Sequence, residues 1–206
     1  MNSVIEQTLR QLSNFWFLGD LEKQQIECFY EDVLCRCEYC FQSTDNKYFK
    51  QNSGGVNLTH SGMWLTYLYY FSNTLSKEGY SELADKFYYL NKVMHSVDIY
   101  HAVALPDIFF FEHPVGSVFG RADYGTNFFA MQHCTVGGNR DRKSGELYYP
   151  IIGKNVKMYS GSKVIGKAKI GNNVTLAANT YIKDVEIPDG ATVFGQSPNL
   201  IIKYLE

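Results

Sequence analysis

Ile152-Gly153-Lys154-Asn155-Val156-Lys157-Met158 opens the stretch, running on to Ile182, whose spacing decides the fold. Every sixth residue in it is a large aliphatic: Ile152, Met158, Val164, Ile170, Leu176 and Ile182. Four places after the anchors come Val156, Ser162, Ala168, Val174 and Thr180, which are small or β-branched. An amphipathic helix repeats its apolar face about every 3.6 residues and a strand about every 2, so a period of six is neither. It is the period of a parallel β-helix, in which each hexad supplies one short strand and one corner and the aliphatic points inward. Each inward side chain contributes about 1.5–3 kcal/mol on full burial, so the row specifies the coil more firmly than any local propensity.

Counting back in sixes from Val136 gives Ala130, Tyr124, Val118 and Glu112, so the register is expected to begin upstream and to place these four inward. Residues 139–150, Asn-Arg-Asp-Arg-Lys-Ser-Gly-Glu-Leu-Tyr-Tyr-Pro, break it as a polar insertion of about ten residues. A loop ejected from a regular coil commonly carries function. At the far end, the Gly195–Pro198 turn leads the chain out of the coil into a final strand or helix.

The first 96 residues read differently. Ser3 and Glu6 have capping-box spacing, and Ile5, Leu9, Leu12 and Trp16 share one face of a helix over 3–18. Gly19 stops it, and Asp20 caps a second helix with Ile26, Tyr30, Val33 and Cys37 inward. Residues 43–60, with Gly54-Gly55, read as a loop. A helix over 61–76 is apolar nearly all round and is expected to be central. Ser81 caps a last one with Leu83, Phe87, Leu90 and Met94 on one stripe. The chain is therefore expected to be α+β: a helical domain over 1–96, then a β-helix domain over 97–206 with loop 139–150 and tail 195–206.

Composition excludes several classes. A formal net charge of -2 gives no electrostatic argument for nucleic acid or an anionic membrane surface. No apolar run approaches the roughly 20 residues that span a bilayer, and the N-terminus lacks the pattern of a signal peptide, so a cytoplasmic protein is expected. Cys28, Cys35, Cys37 and Cys40 hold one C-x-x-C without a second pair, which suits reduced helix cysteines better than a zinc site. Flat coil faces leave apolar surface exposed unless copies pair, so a closed symmetric oligomer is expected.

Three of the five histidines, His101, His113 and His133, fall near the start of the coil. The chain reads Asp98-Ile99-Tyr100-His101-Ala102, then Phe111-Glu112-His113-Pro114-Val115-Gly116-Ser117-Val118-Phe119-Gly120. Gln132-His133-Cys134-Thr135-Val136-Gly137-Gly138, Tyr149-Pro150-Ile151-Ile152 and Tyr159-Ser160-Gly161-Ser162-Lys163 follow. In order and spacing, including the fifteen residues from Asp98 to His113, these segments resemble the serine O-acetyltransferase branch of the hexapeptide-repeat acyltransferases. The resemblance covers residues 98 to about 200.

The resemblance implies a left-handed parallel β-helix, a homotrimer (with a dimer of trimers through the helical domain as an extension) and acetyl-CoA as co-substrate with no metal. It implies His113 as general base and Asp98 as the carboxylate that orients it. For CoA it implies Gly137, Gly138, Ser160, Gly161, Lys163, Lys167, Ala178 and Pro198. Glu112, Tyr148, Tyr149, Arg140 and Arg142 are the candidates for contact with the acceptor. This chain departs from the family's motifs where D-H becomes Glu112-His113 and R-H-P becomes Tyr148-Tyr149-Pro150. Loss of a loop cation argues against an amino-acid carboxylate, and tyrosines suit a sugar ring. The expected acceptor is accordingly a hydroxyl of a bacterial surface polysaccharide, with serine O-acetyltransferase of cysteine synthesis as the alternative. A metal enzyme of γ-carbonic-anhydrase type, drawing on His101, His113 and His133, is a remote third.

Overall fold

The computed structural model describes residues 3–50 and 55–204. The chain divides into two compact units, Met1–His95 and Ser96–Glu206.

In the first unit, α1 (Ser3–Ser13), α2 (Asp20–Ser43), the short α3 (Lys47–Lys50), α4 (Ser61–Lys77) and α5 (Ser81–His95) form the helical array. α4 is its centre: thirteen of its residues are buried, from Gly62 to Leu75, and α2 and α5 pack against it. Aromatic rings interlock there, with Trp64 stacked on Tyr67 at 4.9 Å and Phe71 stacked on Phe87 at 4.5 Å. Arg36 ties α2 to α4 by donating to Thr74 Oγ1 (2.7 Å) and Asn73 Oδ1 (3.2 Å) while lying over the Tyr70 ring.

Several expectations are corrected here. The first helix ends at Ser13 rather than continuing to 18. Gly19, not Asp20, is the N-cap of α2; its amide donates to Glu22 Oε2, and Glu22 Oε1 also takes Lys86 Nζ at 2.5 Å. Met94 is 42% exposed rather than inward. The side chain of Ser3 and residue Gly54 lie outside the described residues.

The second unit is a three-sided parallel β-helix. Its first face stacks β1 (Phe109–Phe111), β4 (Phe128–Ala130), β9 (Lys157–Met158), β12 (Thr175–Leu176) and β15 (Ala191–Gln196). The second stacks β2 (Val118–Phe119), β5 (Thr135–Gly137), β10 (Lys163–Ile165) and β13 (Tyr181–Lys183). The third stacks β3 (Asp123–Tyr124), β8 (Ile151–Ile152), β11 (Lys169–Ile170) and β14 (Glu186–Ile187). All six aliphatic anchors are buried, as are the five small residues between them. The upper end is plugged by rings: Phe111 stacks on Phe119 at 4.5 Å, and Phe128 meets both edge-on.

Two corners depart from the hexad by more than one residue. Val164 pairs with Ile182, eighteen positions on, whereas Val136 pairs with Val164, twenty-eight on; the ten extra residues are the insertion. That insertion is a β-hairpin, β6 (Asn139–Arg140) antiparallel to β7 (Leu147–Tyr148). The other departure overturns the back-count in sixes. Phe119 aligns with Val136 and is fully buried, while Val118 is 42% exposed. Eight positions separate the inward Phe111 from the inward Phe119, where six separate Ala130 from Val136 on the next coil. Glu112 and Val118 therefore do not line the interior, since a one-residue slip turns a strand side chain to the opposite face. The chain leaves the coil through β15 and returns as β16 (Asn199–Tyr204), antiparallel to it, around the Ser197-Pro198 turn.

Candidate active site

The eight-residue step between Phe111 and Phe119 expels the segment that carries His113. Pro114 and Ser117 are buried and pin the ends of this corner, whereas His113 is exposed and takes a left-handed backbone, φ +50. Residues 96–98 run beside the corner on one side: Gly116 N donates to Ser96 O, Asp98 N to Ser117 O, and Phe119 N to Asp98 O. The next coil supports it on the other, with His133 N donating to Val115 O and Cys134 N to Ser117 Oγ. Asp98 is thus registered beside the strand that immediately follows the His113 corner. His133 closes on Gly116 so tightly that a Cβ there would stand 2.5 Å from the ring's Nδ1, and Gly116 also has φ +72. Glycine is the residue that tolerates both conditions.

Further along the same corner, Gly161 N donates to Gln132 O and Asn179 N to Ser160 O, which stacks Gln132, Ser160 and Ala178 one coil apart. The Gln132 side-chain oxygen is buried without a hydrogen-bond partner. Lys163 opens β10 beside them and donates to Gly161 O at 2.9 Å. Cys134 is buried with Sγ against Tyr159 O and Ser162 Oγ, a packing thiol rather than a nucleophile. His113, Ser160, Gly161, Lys163 and Ala178 therefore share one margin of the second face.

The hairpin cluster occupies the opposite margin. Asp141 Oδ1 accepts from the amides of Lys143 and Ser144, and these bonds hold its carboxyl below the usual range. Arg140 Nη1 donates to Gly145 O at 2.5 Å, closing the turn. Tyr148 donates its hydroxyl to the Glu146 carboxylate, which raises the phenol's pKa, and Lys167 Nζ lies 5.5 Å from the Tyr148 ring. Gly137 ends β5 and Gly138 begins the excursion; a Cβ on Gly138 would meet Tyr148 O and the Tyr149 ring, both at 2.9 Å. Arg142 is exposed near the tip. Pro198 is exposed in the β15–β16 turn, which is seated on the end of the second face: Ser197 N donates to Tyr181 O, and Lys183 N donates to Ser197 Oγ.

The sequence-predicted residues thus fall in two groups, one at each edge of the second face. Sequence reasoning missed Arg121, whose guanidinium carbon stands 4.7 Å from the Tyr149 ring centroid. Adding one coil, about eighteen residues, to Arg121 reaches the base of the insertion, and that was the available signal. His101 is buried, and among the described residues no group of three His, Cys, Asp or Glu side chains is placed to hold a metal. No helix among them is long and apolar enough to cross a membrane.

The description "bacterial transferase hexapeptide (six repeats)" matches residues 149–184. A serine acetyltransferase of Staphylococcus epidermidis is 28% identical over 149 residues, 72% of this chain and 68% of that relative. A serine O-acetyltransferase structure from Brucella melitensis superposes with a TM-score of 0.70 at 19% identity, covering 99% of this chain and 86% of that one. A serine acetyltransferase solved in complex with CoA superposes with a TM-score of 0.66 at 19% identity, over 88% of this chain and 75% of that one. At that identity the two superpositions speak for the fold. The chain thus carries the bacterial transferase hexapeptide repeat over residues 149–184 and is similar, over most of its length, to serine acetyltransferases.

Proposed function

We propose that the protein is an acetyl-CoA-dependent O-acetyltransferase in which His113 is the general base and L-serine the acceptor. One observation carries the catalytic part: the corner between Phe111 and Phe119 is two residues longer than its neighbour one coil on, and it presents His113 to solvent, with Asp98 paired to Val118 at the corner's end. An alcohol is a poor nucleophile at neutral pH, and an imidazole is the side chain whose ordinary pKa suits removing its proton. As the acceptor's hydroxyl oxygen bonds to the thioester carbonyl carbon, its proton passes to His113. The C–S bond then breaks, and the departing thiolate recovers a proton from the imidazolium. Asp98 holds the ring's orientation and its cationic form. The pantetheine arm and phosphates are assigned to the Ser160, Gly161, Lys163 and Ala178 margin.

The acceptor assignment to serine is supported by the named relatives, which are serine acetyltransferases. It is supported also by the state of the two tyrosines that argued for a sugar. Tyr148 is engaged with Glu146 and Lys167, and one face of Tyr149 carries Arg121, so both rings are partly occupied within the protein. A saccharide hydroxyl remains the second reading, favoured by the presence of both phenols at the hairpin base. The His113 group and the hairpin group stand at opposite margins of one face, and a homotrimer brings one copy's His113 margin against the next copy's hairpin. A CoA-release assay with acetyl-CoA, comparing L-serine with a panel of saccharides, tests the acceptor. Turnover of L-serine well above every sugar is expected; turnover of a sugar alone transfers the assignment to the second reading.

A further inference from the structure

We propose that Arg121 binds the acceptor's carboxylate and sets the preference for a carboxylated hydroxy compound; this rests on the O-acetyl-transfer reading above. The hairpin's own sequence lacks a cation where the acceptor is expected, because Tyr148 and Tyr149 stand there. The fold supplies one from the preceding coil. Arg121 occupies the corner between the second and third faces, directly before β3, and the hairpin leaves the same corner one coil later.

Arg142 and Lys143 stand at the hairpin's tip, away from its foot, and the other basic groups nearby have contacts of their own. Arg140 closes the hairpin turn on Gly145 O, Lys163 holds Gly161 O, Lys167 stands against Tyr148, and Lys169 pairs with Glu186 at 2.6 Å. Arg121 is exposed, and among the described residues no carboxylate pairs with it; its contact is the Tyr149 ring. A guanidinium over an aromatic ring is held by the ring's quadrupole while its edge N–H groups stay free to fork onto a carboxylate. The ring lies over Gly138, in space that a Cβ there would contest, 2.9 Å from Tyr149 Cδ1. Gly138, Tyr149 and Arg121 form a stack that pre-orients one uncommitted, permanently charged donor at the foot of the hairpin. Serine and an acidic sugar both carry the carboxylate it would take.

The test compares wild type, Arg121→Gln and Arg121→Lys in CoA release at saturating acetyl-CoA, with L-serine, L-serinamide, glucuronate and glucose as acceptors. Wild type should prefer the carboxylated member of whichever pair it uses, and that pair identifies the source of the carboxylate. Arg121→Gln should raise KM for that member about ten- to hundredfold, the span expected for a lost charge-assisted hydrogen bond. KM for acetyl-CoA and for the neutral member should not change, and Arg121→Lys should recover part of the preference. Retention of the preference in Arg121→Gln, an equal rise for both members, or an effect on kcat alone overturns the proposal. Calorimetric titration of L-serine and glucuronate reads carboxylate binding without turnover. If wild type releases no CoA with any acceptor, the transferase reading fails, while a carboxylate affinity that Arg121→Gln removes still upholds this one. Absence of carboxylate binding to wild type overturns it.

Discussion

Phe111 and Phe119 stack face to face, 4.5 Å between ring centroids and 5° between planes, although eight positions of chain separate them where a regular coil uses six. The stack locks both ends of the corner into the interior, so the two surplus residues bulge outward with His113 among them. Removing one ring leaves a large cavity at the top of the coil. Phe119→Ala should destabilise the β-helix by about 3–5 kcal/mol, read as a lowered urea midpoint. It should also depress acetyl transfer in conditions where the protein is still folded. An unchanged midpoint would show that the stack does not anchor the corner.

The hairpin depends on Gly138. A methyl there would press on Tyr148 O and on the Tyr149 ring, both at 2.9 Å, and a carbonyl oxygen of the neighbouring strand cannot swing away as a side-chain end can. Gly138→Ala should therefore loosen the hairpin while the coil below it holds. The expected signs are faster tryptic cleavage at Arg140, Arg142 or Lys143 and a raised KM for the acceptor, with little change in the melting temperature. Equal protease resistance in variant and wild type would contradict it.

His95 gives the helical unit a pH dependence of known sign. Burial lowers its pKa from 6.5 to about 4, with Asn91 Oδ1 2.7 Å from Nδ1. The unfolded chain therefore binds a proton that the folded chain refuses, so the stability this group contributes is complete above pH 6.5 and is lost as pH falls toward 4. The full span corresponds to about 3 kcal/mol. Urea unfolding at pH 7.5 and pH 5 should show wild type losing stability on acidification, and His95→Gln should flatten that slope. A slope identical in the two proteins would remove His95 as its cause.

The coil was legible because its aliphatics repeat in sixes and a buried row tolerates no substitution of a polar residue at those positions. The same regularity misled the count upstream. Val118 and Glu112 keep the six-residue spacing on paper, yet Phe119 and Phe111 fill the interior because aromatic volume, rather than period, closes the top of the coil. The insertion's length was readable, but its hairpin pairing was not, since Asn139 opposite Tyr148 and Arg140 opposite Leu147 show no strand alternation. For the same reason Tyr148 and Tyr149 read as open sugar platforms, whereas the fold brings Glu146, Lys167 and Arg121 onto them. Arg121 lies far from the hairpin in the chain and one coil from it in space. His113 and Asp98 are legible only through the family resemblance, whose motif spacing they match; the fold pairs Asp98 with Val118, at the end of the His113 corner.

The central claim is that His113 is the base that activates the acceptor hydroxyl, and His113→Ala tests it most directly. His113 is exposed at a bulged corner, so the variant should fold, melt and bind CoA as wild type does. The rate of CoA release with acetyl-CoA and the acceptor should fall by about 10²–10⁴-fold, with the acceptor's KM much less affected. A folded His113→Ala protein that keeps wild-type turnover would contradict the account.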